Sequence, residues 1–257
     1  MTATASTPTL RFDEGAVRRG ATSLRHPLAR ALIALTFTTG LIDGVSYLAL
    51  GHVFAANMTG NIVLLGFGIA GSGGLPVIAP VVSLAAFLLG SGVGGIIVKR
   101  VGERHAALVT AALAIEVTLI AAAAVVAATS SVHPGTAGGY ALIALMAFAM
   151  GVRNAAVRRV AVPDLTTTVL TMTLTGLAAE SHPAGGSGKG SIRRIAAVAA
   201  MLVGAVCGGL LLKTQLWAPL ALAAVLALAT WLIYTPAALR LGRPPAQQST
   251  AGEARDI

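Results

Sequence analysis

The residues of this sequence that could do chemistry are single polar side chains set in long apolar stretches. Asp43 is the only acid between positions 31 and 98, and Glu116 is the only acid between positions 106 and 152. An acid inside a membrane is costly to bury and usually functional, so Asp43 is predicted to bind a substrate and Glu116 to relay protons. Structural roles stay open for both: Asp43 could bond to Ser46 or to the following short helix, and Glu116 could pair with a basic group.

A cluster of polar residues follows Asp43 in the stretch Asn57-Met58-Thr59-Gly60-Asn61. Polar side chains need hydrogen-bond partners in hydrocarbon. Asn57 suits a helix N-cap, and Gly60 allows another backbone to come close. We therefore predict that Asn57, Thr59, Gly60 and Asn61 contact a ligand, although capping alone could explain Asn57.

Six threonines stand together later in the chain, at positions 166, 167, 168, 171, 173 and 175. Threonine hydroxyls often bond back to the carbonyl groups of their own helix. Thr171 and Thr175 are four residues apart and share a helix face. These two are predicted to add to a substrate-binding lining.

The elements that carry these residues are apolar helices. The chain of 257 residues is 56% hydrophobic and 11% charged, against roughly 25% charged residues in soluble domains. Six stretches are long enough to cross a membrane: 30–50, 77–98, 106–129, 138–157, 193–213 and 216–235. Two further stretches, 58–70 and 165–179, would reach only ~20 to 22 Å as helices, against a hydrocarbon core of ~30 Å. The sequence predicts an all-α integral membrane protein with six transmembrane helices and two short re-entrant helices.

Basic residues favour this topology, because cytoplasmic flanks of membrane proteins are rich in Lys and Arg. With the N-terminus inside and both short helices re-entrant, 17 of the 18 Lys and Arg residues lie inside, and Lys213 lies outside. If both short helices crossed, the division would be 11 to 7. Both termini are predicted to be cytoplasmic, with disordered tails at 1–29 and 236–257, and Arg153 is interpreted as an interfacial anchor.

An internal repeat divides the membrane domain, 30–235, into halves at 30–129 and 138–235. Residues 86–99 align without a gap on 200–213, at an offset of 114, with six identities in fourteen. Gly40-Leu-Ile-Asp43 matches Gly151-Val-Arg-Asn154 at offset 111, which pairs Asn154 with Asp43 and makes Asn154 a further candidate for substrate binding. Residues 59–61 fall on 171–173 at offset 112. Each half has three crossings, so the second copy is predicted to be inverted.

Three blocks of sequence resemble the bacterial YoaK family of multi-spanning membrane proteins. They are Gly40-Leu-Ile-Asp-Gly-Val-Ser-Tyr, Val53-Phe-Ala-Ala-Asn-Met-Thr-Gly-Asn, and Gly151-Val-Arg-Asn-Ala-Ala-Val-Arg-Arg with the Val162-Pro-Asp and threonine stretches. Met172 departs from the glycine expected there. The resemblance implies a protein of the bacterial plasma membrane and names no substrate.

The spacing of residues argues against several classes of function. The five histidines are scattered, and the single cysteine, Cys207, cannot form an intrachain disulfide or a thiolate metal site. Basic residues lie between apolar stretches and not along one helix face, so no nucleic acid partner is expected. We predict no enzyme activity, no metal and no cofactor.

Two functions remain from the sequence. One is a small-solute transporter or channel with a site between the two re-entrant helices, since inverted repeats with half-helices are a recurrent transporter plan. The alternative is a membrane interaction or assembly protein that moves nothing. Expected partners are the lipid bilayer, an unknown small solute or ion, and a second copy in a homo-oligomer.

Overall fold

The computed structural model describes residues 27–102, 105–160, 170–188 and 190–241, and helices account for nearly all of them. One short 3₁₀ helix covers His182–Ala184. The eight α-helices in these ranges are α1 (Pro27–Ala49), α2 (Met58–Ile69), α3 (Ile78–Val101), α4 (His105–Thr129), α5 (Ala137–Val160), α6 (Thr171–Ala179), α7 (Ser191–Leu212) and α8 (Trp217–Leu241).

Six of these helices are long and apolar enough to cross a membrane, as predicted: α1, α3, α4, α5, α7 and α8. Their bounds differ from the predicted ones by a few residues, most at the two tails. α1 begins at Pro27, and α8 continues through Pro236 to Leu241. Residues 27–29 and 236–241 are therefore helical, whereas the candidate membrane span of α8 ends at Pro236. The remaining tail residues, 1–26 and 242–257, lie outside the described residues.

Close contacts between glycines and neighbouring backbones show the direction of the helices. Gly204 lies against Phe37, and Gly208 lies against Leu41. Residue numbers rise together along both helices, so α1 and α7 run parallel. α3 and α5 are parallel for the same reason, since Gly90 lies against Phe148 and Gly94 against Val152.

The ends of the helices collect at two ends of the bundle. Gly51, just after α1, lies near Pro76, just before α3, and near Pro134, just before α5. We call this the far end; the end at which α1 begins is the near end. Residues 50–77, which include α2, therefore leave and rejoin the bundle at the far end. α5 ends and α7 begins at the near end, so the described part of the chain between them, which includes α6, rejoins the bundle there.

The two short helices thus connect neighbouring spans without crossing, as predicted. α2 matches the predicted stretch to within one residue, at Met58–Ile69. α6 covers Thr171–Ala179, and the earlier part of its predicted stretch, 165–169, lies outside the described residues. The main contact of α2 is with α3, and that of α6 is with α7.

The helix contacts are symmetric in the way that the predicted repeat requires. α1 packs on α7 and α8, its counterpart α5 packs on α3 and α4, and α4 packs on α8. Individual glycine contacts repeat at offsets 111 and 114: Phe37–Gly204 with Phe148–Gly90, Leu41–Gly208 with Val152–Gly94, and Gly40–Met201 with Gly151–Phe87. The two halves are therefore joined by two equivalent, close crossings between α1 and α7 and between α5 and α3.

A pair of alanine substitutions tests these crossings. A methyl group at Gly204 would collide with the carbonyl oxygen of Phe37, whereas the position of Gly92 is open. We expect Gly204→Ala to lower the free energy of unfolding by about 1–3 kcal/mol, as other overpacking changes do. Gly92→Ala should be neutral or stabilising by about 0.5–1 kcal/mol.

The measurement is thermal unfolding of each purified variant in the same detergent. Equal melting temperatures for Gly204→Ala and Gly92→Ala would contradict the close crossing of α1 and α7.

Candidate functional site

Asp43 bonds to the irregular chain that connects α1 and α2. Its Oδ1 accepts hydrogen bonds from the backbone N–H of Ala55 at 3.0 Å and of Ala56 at 2.8 Å. The hydroxyl of Ser46 also accepts from the Ala55 N–H, at 3.1 Å. Asp43 lies six residues before the end of α1 at Ala49, which is about 9 Å along the helix axis. The chain after α1 therefore turns back into the bundle to this depth.

Asn61, from the first turns of α2, bonds to the same segment from its other side. Its Oδ1 accepts from the N–H of Phe54 at 2.8 Å, and its Nδ2 donates to the carbonyl of Phe54 at 2.7 Å. Ser83 on α3 donates to the same carbonyl at 2.7 Å and accepts from Asn61 Nδ2 at 3.0 Å. Asn61 and Ser83 are both fully buried. This amide therefore holds the irregular chain in place.

Asn57 and Gly60 form the start of α2 as the sequence suggested. Asn57 is the N-cap, and its Oδ1 accepts from the Gly60 N–H at 3.3 Å. A Cβ at Gly60 would lie 2.8 Å from the ring of Phe54, so glycine is needed for the ring to pack here. Thr59 is exposed on the outer face of α2.

A cavity of about 300 Å³, widely open to the surroundings of the bundle, lies beside this segment, between α1 and α7. Its lining residues are Gly40, Asp43, Gly44, Tyr47, Leu48, Phe54, Asn57, Met201 and Ala205. The second carboxylate oxygen of Asp43, Oδ2, is buried and has no hydrogen-bond partner among the described residues. The rings of Tyr47 and Phe54 stack in the wall with centroids 5.0 Å apart.

Glu116 and Arg153 form a buried ion pair away from this cavity. Their Oε1 and Nη1 atoms are 2.9 Å apart, and the side chains are 0% and 1% exposed. The interpretation of Arg153 as an interfacial anchor was therefore wrong. α5 continues for seven residues beyond Arg153, to Val160, or about two turns, which places the guanidinium deep in the bundle. The proton relay at Glu116 stays a prediction.

Arg153 also joins α1 to α5. Nη1 donates to the carbonyl of Leu35 at 3.2 Å and to the hydroxyl of Thr38 at 3.1 Å, and Nη2 donates to the hydroxyl of Thr39. Glu116 adds α4 to this cluster. Three crossing helices are thus connected by one guanidinium group, at a level of α1 nearer its start than Asp43.

The candidates in the second half do not join the cavity. Thr171 and Thr175 are exposed on α6, and the Thr175 hydroxyl donates to the Thr171 carbonyl at 2.9 Å. Thr173, between them, is buried. Asn154 is half-buried, and its Nδ2 donates to the Met150 carbonyl at 2.7 Å. Thr166, Thr167 and Thr168 lie outside the described residues. The structure therefore brings together Asp43, Asn57, Gly60 and Asn61, while Thr171 and Thr175 lie elsewhere.

Some residues of the site were not identified from the sequence. Tyr47 follows Asp43 by one helical turn, a spacing that places both on one face of α1 and could have been used. Ser83 and Met201 come from other helices, and no local pattern marks them. Among the described residues, no group of three or more His, Cys, Asp or Glu side chains could hold a metal ion.

Comparisons with known proteins agree with the predicted class. The family model described as "Protein of unknown function (DUF1275)" matches residues 31–233. The chain is 37% identical over 147 residues to the UPF0700 transmembrane protein YoaK of Bacillus subtilis (strain 168). That match covers 57% of this chain and 64% of the relative, just under two thirds of its length. No solved structure matches.

Two substitutions of Asp43 separate its charge from its hydrogen bonds. Asp43→Ala removes the acceptor of the Ala56 N–H, whereas Ser46 still serves Ala55. An unpaired buried N–H costs about 1–3 kcal/mol, so we expect this variant to unfold at a lower temperature. Asp43→Asn keeps an oxygen for both N–H groups and should remain close to the wild type. Thermal unfolding in detergent checks both; equal destabilisation by the two variants would contradict the capping role.

Removing one partner of the buried ion pair should destabilise the bundle strongly. Glu116→Gln leaves the Arg153 charge uncompensated, a loss of about 3–5 kcal/mol for buried pairs. The double variant Glu116→Leu with Arg153→Met should recover much of this loss. Thr38 and Thr39 keep the Leu35 carbonyl as a partner in that variant. The unfolding free energies of Glu116→Leu, Arg153→Met and the double variant form a double-mutant cycle that measures the coupling. Additive losses in this cycle would refute a direct pair.

Proposed function

This chain belongs to the DUF1275 family, and its relative YoaK is a transmembrane protein. We propose that this chain is a transporter or channel for a small solute or ion. The solute binds in the cavity between α1 and α7 that Asp43 lines. One observation carries the proposal: Asp43 is 6% exposed, uses only Oδ1 within the fold, and leaves Oδ2 without a partner among the described residues. A buried polar atom without a partner is costly, and a bound solute would remove that cost.

The irregular backbone beside the cavity supports this proposal. Irregular chain at membrane depth is tolerated where it is buried in protein or lines a wet cavity. Residues 53–56 satisfy both descriptions, since Asp43 and Asn61 bond to their backbone while Phe54 lines the cavity. Discontinuous segments of this kind bind substrates in several transporter folds.

The place of the cavity in the repeat is a second support. Substrate sites in duplicated transporters lie where the two repeats meet. α1 belongs to the first half and α7 to the second, and the cavity lies along their crossing, against Met201 and Ala205. The proposed site therefore differs from the one expected from the sequence, between α2 and α6, because no residue of α6 lines this cavity.

The distribution of charge supports a bacterial plasma membrane protein with cytoplasmic termini. In the described chain, Lys213 follows α7 at the far end, and the following basic residues lie at the near end: Arg30, Lys99, Arg100, Arg158, Arg159, Arg193, Arg194 and Arg240. Basic flanks are retained in the cytoplasm, so we assign the near end to the cytoplasm. The cavity then lies in the half of the bilayer away from the cytoplasm.

The outer surface of the bundle fits a lipid environment. Large apolar side chains are exposed along α2, α3 and α7, among them Ile62, Phe67, Leu88, Leu89 and Leu202. Exposed apolar area of this extent on a soluble monomer would mark an interaction surface. On helices that span a bilayer it is the face that contacts acyl chains.

The experiment is uptake by the purified chain in liposomes, with a panel of small amines, amino acids, sugars and monovalent ions. We expect saturable uptake of at least one solute, reduced at least tenfold by Asp43→Asn, which corresponds to about 1.4 kcal/mol. Thr118→Val is the matched control, because the Thr118 hydroxyl is exposed on α4 and bonds within its own helix at 2.9 Å.

Two results would overturn the proposal. One is that no solute of the panel enters faster than it enters empty liposomes. The other is that Asp43→Asn transports as fast as the wild type. The first result would favour a membrane interaction or assembly protein that moves nothing, and the second would show that the transported solute does not bind at Asp43.

A further inference from the structure

The charge of the cavity indicates which solutes it would accept. Among its lining residues in the described structure, Asp43 is the only charged one. Its Oδ1 is occupied by the N–H groups of Ala55 and Ala56, and its Oδ2 has no partner there. A carboxylate with one oxygen that has no hydrogen-bond partner attracts a cation or a strong hydrogen-bond donor and repels an anion. The cavity is therefore suited to a positively charged group.

Arg153 is engaged elsewhere and does not serve as the counter-ion of Asp43. Its guanidinium pairs with Glu116 at 2.9 Å and donates to Leu35 and Thr38 of α1. No salt bridge connects it to Asp43 among the described residues. The charge of Arg153 is thus already matched by Glu116, and Oδ2 of Asp43 has no partner among the described residues.

The aromatic wall favours an organic cation over a metal ion. Tyr47 and Phe54 stack at 5.0 Å with an angle of 23° between their planes, and both line the cavity with Asp43. Aromatic faces attract ammonium groups. Inorganic cations bind instead to several oxygen ligands, and the lining provides few: the Asp43 carboxylate, the Asn57 amide and the Tyr47 hydroxyl.

The size of the cavity and the symmetry of the fold limit the cation further. The cavity volume of about 300 Å³ falls at the small end of ligand pockets. Asn154 is the counterpart of Asp43 in the second half and carries no charge. One carboxylate therefore matches one positive charge.

We propose that this cavity binds a small organic monocation, an amine in its ammonium form, with the nitrogen at Asp43 Oδ2 and the carbon chain against Tyr47 and Phe54. The inference rests on the proposed function, since it names the substrate class of the same cavity. Leu48 and Met201 complete the apolar side of the site.

Equilibrium binding to the purified full chain tests this assignment separately from transport. The probe is propylammonium, compared with the neutral 1-propanol, the anion propionate and sodium ion, each titrated into the protein in detergent by calorimetry. We expect propylammonium to bind at least tenfold more tightly than each of the other three probes. Asp43→Asn should weaken it at least tenfold while the melting temperature stays unchanged.

Tyr47→Leu is the second variant, because it keeps the charge of Asp43 and most of the apolar area of the wall. Loss of one aromatic face should weaken propylammonium about threefold or more and leave any sodium binding unaltered. Thr118→Val should bind as the wild type does. Equal affinity for propionate and propylammonium, or an unchanged affinity in Asp43→Asn, would overturn the inference.

Binding and transport can fail independently. If propylammonium does not bind while Asp43-dependent uptake of a neutral solute is found, the cation assignment is wrong and the transporter proposal stands. If propylammonium binds in an Asp43-dependent way while no solute of the panel moves, the cation site stands and the transporter proposal falls.

Discussion

Three consecutive backbone N–H groups, those of Phe54, Ala55 and Ala56, are satisfied by side chains and not by a helix or a strand. Asn61 accepts from the first, and Asp43 accepts from the other two. At membrane depth no bulk water can replace these acceptors, and each unpaired group would cost several kcal/mol. The turn of the chain back into the bundle, the start of α2 and the shape of the cavity all depend on these bonds.

The two close crossings provide the frame in which this segment lies. α1 meets α7 and α5 meets α3 through glycines whose contacts repeat at fixed offsets, so the backbone frame is close to symmetric. The polar side chains are not symmetric. In the first half, Asp43 bonds to the chain after α1 and lines the cavity. In the second half, Arg153 connects α5 to α1 by a hydrogen bond and to α4 by an ion pair. The frame therefore follows the predicted repeat, and a few side chains that differ between the halves distinguish the site.

The fold was predictable from the sequence, because hydropathy, segment length and basic residues depend on composition along the chain. The repeat was also visible, since the glycines that let helices touch stay at matched positions. Contacts between side chains of different helices were not predictable. Glu116 and Arg153 are 37 positions apart, and Asn61 and Ser83 are 22 apart. Such pairs depend on how each helix is rotated about its axis. The packing of the helices determines that rotation, and no local sequence pattern indicates it.

For the same reason the site was only partly predicted. Asn57 and Gly60 act within one helical turn, and their roles at the start of α2 followed from residue type. Asp43 was singled out because an acid is rare in an apolar stretch. Ser46 and the following short helix were named as possible partners, and the observed partners, the N–H groups of Ala55 and Ala56, lie just before that helix. Thr171 and Thr175 share a face, as the spacing required, and the packing of α6 on α7 turns that face outward and buries Thr173 instead.

The charge of Asp43 is more than the fold requires. The N–H groups of Ala55 and Ala56 need one acceptor oxygen, which an asparagine would supply without a charge. Charge-assisted hydrogen bonds are roughly twice as strong as neutral ones, yet a buried, unpaired carboxylate costs more than such a gain returns. Glu116 has a direct ion pair with Arg153 to offset its burial, whereas Arg153 acts on Asp43 only through space, without a salt bridge among the described residues. A positively charged guest in the cavity would resolve this imbalance, and it is the simplest physical reason for an acid at this position.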